Sequence, residues 1–163
     1  MTLFDALFPD PSFFALLDDL KHPDPSTRNR ATEALWQCWF AQKGAVGLEQ
    51  INRSQILVEK GDLEGAETIL TELINDLPDF AEAWNRRAVL YYTQERYEDA
   101  IADCQAVVRL VPAHFGAWHG MGLSQMALGH YRQAMESFDR ALDIQPYGLV
   151  NRKLSLECHL LLS

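Results

Sequence analysis

Basic residues are scarce in this sequence, and their scarcity limits the partners that the protein can have. The chain contains 14 Lys and Arg against 23 Asp and Glu, which gives a formal net charge of -9. No basic stripe is present to displace the counterions of a phosphate backbone, so general nucleic-acid binding is excluded. Acidic surfaces of this kind keep proteins in solution. We therefore expect a soluble protein that binds no nucleic acid.

Long apolar runs and targeting features are also missing. No stretch approaches the roughly 18 to 20 apolar residues that a membrane-spanning helix needs. The segment from Met1 to Leu20 contains several Asp and no Lys or Arg, which does not suit a secretory or transit peptide. The sequence has three cysteines, Cys38, Cys104 and Cys158. An odd number without a regular spacing is typical of reduced thiols in a reducing compartment. We therefore expect a cytoplasmic protein with no membrane association.

Motifs for catalysis and metal binding are absent as well. The segment from His119 to Gly122 looks like a G-x-G phosphate loop, but its third glycine is missing and no strand precedes it. The Cys and His residues lack the paired spacing of a zinc site, and no nucleophile stands beside a base. We expect a protein that is not an enzyme and that binds no metal and no cofactor.

The sequence instead contains a 34-residue internal repeat between Ala81 and Pro146. Four residues of one copy recur in the next, namely Trp84, Tyr97, Ala100 and Pro112 as Trp118, Tyr131, Ala134 and Pro146. A fixed period of this length predicts helix pairs that bury their apolar faces by stacking on their neighbours. The expected helices are 48–60, 63–76, 81–94, 97–110, 115–128 and 131–144.

The first of these helix pairs is degenerate. Gln50 stands at its Trp position, whereas Gly61, Ala66 and Pro78 stay in phase with the later units. A closing segment, Tyr147 to Leu162, is predicted to form a capping helix with one apolar stripe. The residues of that stripe are Val150, Leu154, Cys158 and Leu161.

Residues 1–46 precede the repeats. Their pattern predicts an apolar hook, from Leu3 to Phe8, followed by two helices. Prolines at positions 9 and 11 separate the hook from the first helix. Asp24 and Pro25 are suited to begin the second helix, as its N-cap and its first residue, and that helix extends to about Gln42. Gly44 and Gly47 mark a linker or a helix end.

The segment LLDDLKHPDPSTRNRATEAL resembles one HEAT unit. A single pair of this kind does not form a solenoid, because each unit needs neighbours to bury its apolar faces. We therefore expect the pair to cover the open end of the repeat array.

The repeats resemble the tetratricopeptide repeat family over about residues 47–162. The third unit carries nearly the whole family pattern, in Trp118, Met121, Gly122, Gly129, Tyr131, Ala134, Phe138, Ala141 and Pro146. The second unit departs from the family at Arg87, Cys104 and Val107, which alters packing and not the fold class. The resemblance implies an all-α, right-handed superhelix of helix-turn-helix repeats. Its parts are an N-terminal cap (1–46), repeats at about 47–80, 81–114 and 115–148, and a capping helix (148–162), together one compact unit.

The resemblance also implies that the first helix of each unit lines a concave groove. Carried over position by position, the candidate partner-binding residues are Gln55, Glu82, Asn85, Arg86, Val89, Tyr92, His119, Leu123 and Met126. Their polar groups suit hydrogen bonds to a partner's backbone, and their apolar groups form an adaptable floor. Gly116 and Gly120 either leave room for a bulky side chain or a partner's backbone, or only relieve crowding between helices.

Some family members use a carboxylate clamp to bind the C-terminal tails of chaperones. The clamp needs Lys and Asn in one unit, Asn in the next, then Lys and Arg. This sequence has Ile51 and Gln55, then Arg86, then Gly116 and Gly120 at those positions. The clamp is absent from the sequence, so we expect no binding of a chaperone tail.

Three functional hypotheses follow. The first is a protein–protein interaction scaffold or adaptor that binds a peptide or helix of a partner in the groove. The second is a self-associating structural or assembly protein, a homo-oligomer joined by its apolar ends, Leu3 to Phe14 and His159 to Leu162. The third is an accessory subunit that docks through the cluster from Trp36 to Phe40. We expect that cluster to be buried instead, because the first unit needs an aromatic from outside.

Two further expectations concern the repeats themselves. The in-phase aromatics should fill the gaps between units, so truncating one should cost about 3–5 kcal/mol. The acidic residues of the second unit should form a solvated outer face. These residues are Glu95, Glu98, Asp99 and Asp103.

Overall fold

The computed structural model describes residues 6–8 and 10–163, and the stretch from Pro11 to Leu161 folds into nine α-helices. In chain order they are α1 (Pro11–Asp19), α2 (Pro25–Ala41), α3 (Gly44–Glu59), α4 (Leu63–Asp76), α5 (Ala81–Thr93), α6 (Tyr97–Leu110), α7 (Phe115–Ala127), α8 (Tyr131–Ile144) and α9 (Leu149–Leu161). No strand occurs among the described residues, which confirms the all-α fold. Residues 3–5 of the expected apolar hook lie outside the described part, and residues 6–8 lie within it. No helix within that part is both long and apolar enough to cross a membrane.

The expected helices of the three pairs agree with the observed ones to within one residue, except at the start of α3. Helix α3 begins at Gly44, ahead of the expected start at Leu48, so Gly47 lies inside it and not in a linker. A Cβ atom at Gly47 would lie 2.9 Å from the ring of Phe80, which is fully buried. Glycine therefore lets α3 approach Phe80, and the expectation of a linker at Gly47 is wrong.

The turn inside each pair is made by a residue with a positive φ angle. The three residues occupy the same position of successive repeats, and their φ angles are 80° at Gly61, 59° at Glu95 and 76° at Gly129. A left-handed backbone conformation costs a residue other than glycine roughly 1–2 kcal/mol. The second unit thus carries backbone strain that the first and third units avoid.

The junctions between units share one hydrogen bond. The indole Nε1 of Trp84 donates to the carbonyl oxygen of Pro78 at 2.9 Å, and Trp118 donates to Pro112 at the same distance. One repeat later Arg152 donates to the carbonyl oxygen of Pro146 at 2.8 Å. Helix α9 therefore sits in the register of the first helix of a fourth unit.

The apolar stripe expected on α9 is only partly correct. Cys158 is fully buried and Leu154 packs beside it, against Phe138. Val150 and Leu161, however, are 64% and 53% exposed. The repeat register, and not the longest apolar stripe, decides which face of α9 contacts the array.

Helix α2 runs along the loop edge of the repeats. Near the middle of α2, Thr32 Oγ1 accepts from Gln145 Nε2, at the end of the third unit, at 3.1 Å. After its end, Gln42 Nε2 donates to the carbonyl oxygen of Asp79 at 2.8 Å, and Gln42 Oε1 accepts from the N–H of Ala81 at 3.2 Å. Helix α2 thus spans all three units, which differs from the expectation that the N-terminal pair covers the open end.

The start of α2 agrees with the sequence. Asp24 is its N-cap and accepts a hydrogen bond from the backbone N–H of Thr27 at 2.9 Å, with Pro25 in the first turn. The side chain of Ser26 and the backbone of Thr27 donate to this carboxylate, and they hold the pKa of Asp24 well below its usual value. Such a cap satisfies N–H groups that have no partner inside the helix.

The aromatic cluster of α2 is packed against the repeats. Trp39 is fully buried, and its ring stacks on His114 with centroids 4.0 Å apart. Trp36 meets the edge of Phe115 at 5.5 Å. The expectation of buried packing holds, but these two rings contact the third unit, while Phe40 packs on the core between the first and second units.

One acidic residue of the second unit is not solvated. Asp103 is 4% exposed, and its two carboxylate oxygens accept from Arg87 at 2.7 Å and 2.9 Å. Burial raises the pKa of Asp103, and the hydrogen bonds from Arg87 oppose that change. Arg87 replaces the family's Leu, so the ion pair spans the helices α5 and α6 where an apolar contact is usual. The expectation of a solvated Asp103 is wrong.

Candidate partner-binding groove

A small apolar cavity opens between α5 and α7, the first helices of the second and third units. Its volume is ≈ 170 Å³. Nine residues line it, namely Asn85, Ala88, Val89, Tyr92, Cys104, Gly116, His119, Gly120 and Leu123. Five of the nine candidate binding residues are therefore brought together in one place. We call this space the groove cavity.

The groove cavity exists because small side chains meet there. In the third unit the fully buried ring of Phe138 packs against Gly122, where an added Cβ atom would lie 2.5 Å from a ring carbon. The residue in phase with Phe138 in the second unit is Cys104. A Cβ atom at Gly120 would be 3.6 Å from the Cys104 sulfur, at ordinary contact distance. The space that a phenyl ring fills in one unit is open in the other.

Val89 and Tyr92 stand at the mouth of the groove cavity. They are 52% and 37% exposed, so both side chains are accessible from solvent. The Tyr92 ring meets Tyr97 edge-on with centroids 5.6 Å apart, which restricts its orientation.

Two polar side chains that line the groove cavity are oriented by hydrogen bonds to neighbouring residues. His119 Nδ1 lies 2.6 Å from Asn151 Oδ1, an acceptor, so Nδ1 is the donor and Nε2 is the ring nitrogen left for a ligand. Asn85 donates its Nδ2 to Glu82, which leaves Oδ1 free to accept. Helix α9 thus fixes the histidine, and a buried carboxylate fixes the asparagine.

The floor of the groove cavity is the thiol of Cys104. This residue is 2% exposed, and burial raises its pKa to about 12. The side chain is therefore a neutral thiol at physiological pH and contributes apolar surface. Ala88 completes the floor from α5.

Glu82 is expected at the groove surface, but it lies beneath it. It is fully buried, and its carboxylate accepts from Asn85 Nδ2 at 3.2 Å and from Arg86 Nε at 2.9 Å. His114 Nε2 lies 3.3 Å away on the other side. Since His114 Nδ1 accepts from the backbone N–H of Ala117, Nε2 carries a proton and donates to Glu82. Glu82 supports the groove and offers no surface to a partner, because it is fully buried beside His114.

The other three candidates lie outside the groove cavity. Arg86 points away from it, with its guanidinium 4.8 Å from the Phe40 ring centroid, and it donates to Gln55 Oε1 at 3.4 Å. Gln55 is exposed on the first unit. Met126 packs against the cluster around Phe138 and Cys158. These residues border the groove and do not share its cavity.

Trp36 occupies one end of the groove. A Cβ atom at Gly116 would lie 2.6 Å from the Trp36 ring, so this glycine accommodates a bulky side chain of the same protein. Gly120, one turn further along α7, faces the groove cavity. The two interpretations of these glycines therefore apply to different residues, since Gly116 relieves crowding and Gly120 leaves space.

The buried indole Nε1 of Trp39, in the contact between α2 and the repeats, has no hydrogen-bond partner among the described residues.

Sequence reasoning missed Ala88 and Cys104 as lining residues. The available signal was the departure of Cys104 from the aromatic that the repeat has at Phe138. A small residue in place of a phenyl ring predicts a void unless a neighbouring residue is larger and fills it.

Among the described residues, no group of three His, Cys, Asp or Glu side chains is placed to hold a metal ion.

Comparison with known proteins gives a consistent result. Two tetratricopeptide repeat family models match the chain, one over residues 51–115 and another over 115–147. Together they cover more than half of its 163 residues.

Curated relatives share this part of the sequence. A TPR repeat-containing protein of Rhizobium etli is 35% identical over 89 residues, which are 55% of this chain and 44% of that protein. Human Superkiller complex protein 3 is 31% identical over 111 residues, 67% of this chain and 7% of the relative. The chain therefore spans less than half the length of these curated relatives.

Solved structures show the same fold. The first TPR domain of Spaghetti (RPAP3), solved with the HSP90 peptide SRMEEVD, superposes with a TM-score of 0.68 at 19% identity. The match covers 71% of this chain and 91% of that domain. The expected superhelix of helix-turn-helix repeats is thereby confirmed.

Proposed function

The chain belongs to the tetratricopeptide repeat family, and we propose that it is a protein-interaction adaptor whose groove cavity captures one side chain of an extended partner segment. The observation that carries the proposal is the cavity itself. It is open at the surface, lined by residues of two successive units, and bordered by five residues at the family's partner-facing positions. Cavities with apolar walls and a few convergent polar groups are typical of binding sites.

The chemistry of the groove cavity favours an apolar side chain with a backbone N–H group beside it. Val89, Leu123 and Cys104 offer apolar contacts, while His119 Nε2 and Asn85 Oδ1 accept hydrogen bonds. An extended segment presents side chains and N–H groups in this alternation. A leucine, methionine or similar residue is the ligand side chain that we propose.

The same groups make a chaperone tail a poor ligand in this proposal. The HSP90 peptide in the Spaghetti structure ends in Glu-Glu-Val-Asp. The clamp that some family members use for such tails is missing from this sequence at Ile51, Gln55 and Gly120. A terminal carboxylate accepts hydrogen bonds, and the fixed atoms at the groove cavity accept them too, so the two surfaces do not complement each other.

The proposed role is binding without catalysis and without a cofactor. The ionisable groups nearest to the groove cavity are engaged in structure, His119 by Asn151 and Glu82 by its three donors. A nucleophile with an adjacent base is what an active site requires, and the Cys104 thiol has a pKa of about 12. The three free cysteines support a reducing compartment such as the cytoplasm.

A peptide-display selection tests the proposal. The immobilised 163-residue chain is panned against a library of random short peptides, and the affinity of the enriched peptides is measured by isothermal titration calorimetry. We expect a recurring large aliphatic residue or methionine in the enriched sequences. Tyr92→Ala should weaken their binding at least tenfold. Tyr147→Ala removes another exposed tyrosine, 49% exposed and outside the groove, and should leave the affinity unchanged.

Two results contradict the proposal. Equal affinity of wild type and Tyr92→Ala for every enriched peptide places the binding surface elsewhere. Saturable binding of the peptide SRMEEVD, lost when its C-terminus is amidated, shows tail recognition without the usual clamp. Arg86→Glu is not a clean variant for this purpose, because Arg86 donates to the buried Glu82.

A further inference from the structure

Helix α9 carries an apolar stripe that nothing in the described chain covers. Leu149, Leu156 and Leu160 are 74%, 59% and 66% exposed. They are separated by about two turns and one turn of helix, so they lie on one side of it. Scattered exposed leucines are ordinary on a protein surface, but three in register form a face.

This face is not shaped for the second helix of a repeat. In the register of the earlier units, Leu156 stands where α5 has Ala88 and α7 has Gly122. Those two small residues are buried and let the second helix of each unit cross closely. A leucine at that position instead suits a helix packed at the ordinary interaxial distance of about 8–10 Å.

Charges beside the stripe complement each other under a twofold rotation. Lys153 and Glu157 are exposed, lie on the same flank of α9, and form no ion pair with another described residue. When two copies of α9 run antiparallel about an axis near Ser155, Lys153 of each copy faces Glu157 of the other. Leu149 then faces Leu160 of the second copy, and Leu156 lies beside the axis.

The geometry points to a homodimer in which α9 packs antiparallel against α9 of a second copy through this self-complementary face. A parallel arrangement is disfavoured because it places the Lys153 and Glu157 flanks of the two copies on opposite sides of the helix pair, where they form no intermolecular ion pair. The interface is isologous, as in most homodimers. One helix pair is at the lower end of interface sizes, so the dimer dissociates in the micromolar range. The dimer goes beyond the proposed function, since no residue of α9 lines the groove cavity.

Sedimentation equilibrium of the full chain over a range of concentrations measures the dimer. Leu156→Glu should weaken dimerisation at least tenfold and leave the helical content unchanged, because the side chain is exposed. Glu157→Lys sets like charges opposite each other twice and should weaken it about threefold to tenfold. The double variant Lys153→Glu, Glu157→Lys should restore the wild-type constant. Tyr92→Ala should not alter it, which separates this test from that of the groove.

Disulfide formation tests the antiparallel orientation. In a Cys38→Ser background, Leu156→Cys should form a covalent dimer on mild oxidation, whereas Leu160→Cys alone should not. A mixture of Leu149→Cys and Leu160→Cys proteins should crosslink to each other. Self-crosslinking of Leu160→Cys at the rate of Leu156→Cys indicates a parallel pair and overturns the proposal. A monomer at every concentration also overturns it.

Discussion

Cys104 and Phe138 occupy the same position of successive repeats, and the difference in size between these two side chains leaves the groove cavity open. In the third unit the ring of Phe138 is fully buried against Gly122. In the second unit a thiol takes its place, with Gly120 across from it. The repeat therefore specifies a packed interior, and one departure from it creates a place for a ligand.

Filling that space should abolish partner binding. Cys104→Phe restores the ring of the repeat, so we expect at least a tenfold loss of affinity for peptides selected on the wild type. Overpacking should cost about 1–3 kcal/mol of unfolding free energy, which leaves the protein folded. Cys104→Ala is the matched control, since it keeps the cavity open and should retain affinity. Unchanged binding by Cys104→Phe excludes the cavity as the site. Calorimetric titration and urea unfolding supply the two measurements.

A substitution in the turn of the second unit should increase the unfolding free energy of the protein. Glu95 has φ 59° where the other two units have glycine. Glu95→Gly removes the left-handed strain and should stabilise the protein by about 0.5–1 kcal/mol, less than the strain itself because glycine loses more entropy on folding. Gly129→Ala introduces the same strain in the third unit and should destabilise by a similar amount. Urea unfolding of both variants measures the signs, and a Glu95→Gly variant less stable than wild type contradicts the prediction.

The sequence predicts the helices of the repeats well because a constant repeat period, with glycine and proline at the turns, is a local signal. Their bounds agree with the structure to within one residue except at α3. The error at α3 has a tertiary cause. Gly47 looks like a linker residue until Phe80, which directly precedes α5, is seen to pack on it.

The sequence predicts the groove less completely than the helices. The positions carried over from the family indicate the helix face on which a residue lies, but not whether its side chain is buried. Glu82 occupies a partner-facing position in that scheme, yet it is fully buried beside His114, on which Trp39 stacks. The path of α2 decides this burial, and the sequence of α2 does not indicate that this helix runs along the loop edge.

Family positions also do not predict how deeply each aromatic residue is buried. Phe138 is fully buried, whereas Trp84 and Trp118 are partly exposed. Truncation of the two tryptophans should therefore cost less than that of Phe138.

The thiol of Cys104 should make stability depend on alkaline pH. Burial raises its pKa in the folded protein to about 12 from a usual value of 9.0. The folded state thus favours the protonated thiol, and this contribution is complete below pH 9 and is lost as the pH rises toward 12. Between about pH 7 and pH 10, wild type should lose about 1 kcal/mol more unfolding free energy than Cys104→Ala. Parallel slopes for the two proteins in urea unfolding contradict this assignment.

Two glycines on one helix should respond in opposite ways to the same substitution. Gly116→Ala brings a methyl group to 2.6 Å from the Trp36 ring, which Trp39 and Phe115 hold in place. We expect it to destabilise the protein by about 1–3 kcal/mol. Gly120→Ala meets only the Cys104 sulfur at 3.6 Å and should stabilise by about 0.5–1 kcal/mol through helix propensity. Thermal or urea unfolding measures both, and equal effects contradict the contact of α2 with the groove end.

The buried carboxylate of Glu82 should be needed for folding stability and, separately, for the groove. Glu82→Ala leaves Asn85, Arg86 and His114 without their acceptor. Arg86 is 30% exposed at its side chain and can turn to water, but His114 is fully buried and cannot. We expect a loss of about 3–5 kcal/mol in urea unfolding, against less than about 0.5 kcal/mol for the exposed control Glu98→Ala.

Glu82→Gln separates the two roles of this residue. Its amide keeps the shape of the side chain and one acceptor oxygen, so the loss of stability should be smaller than for Glu82→Ala. That single oxygen cannot accept from Asn85, Arg86 and His114 together, and the Asn85 amide is then free to rotate. Because Asn85 Oδ1 is an acceptor of the groove cavity, peptide affinity should fall in Glu82→Gln while the protein stays folded. Wild-type affinity in a folded Glu82→Gln variant shows that the orientation of Asn85 is irrelevant to binding.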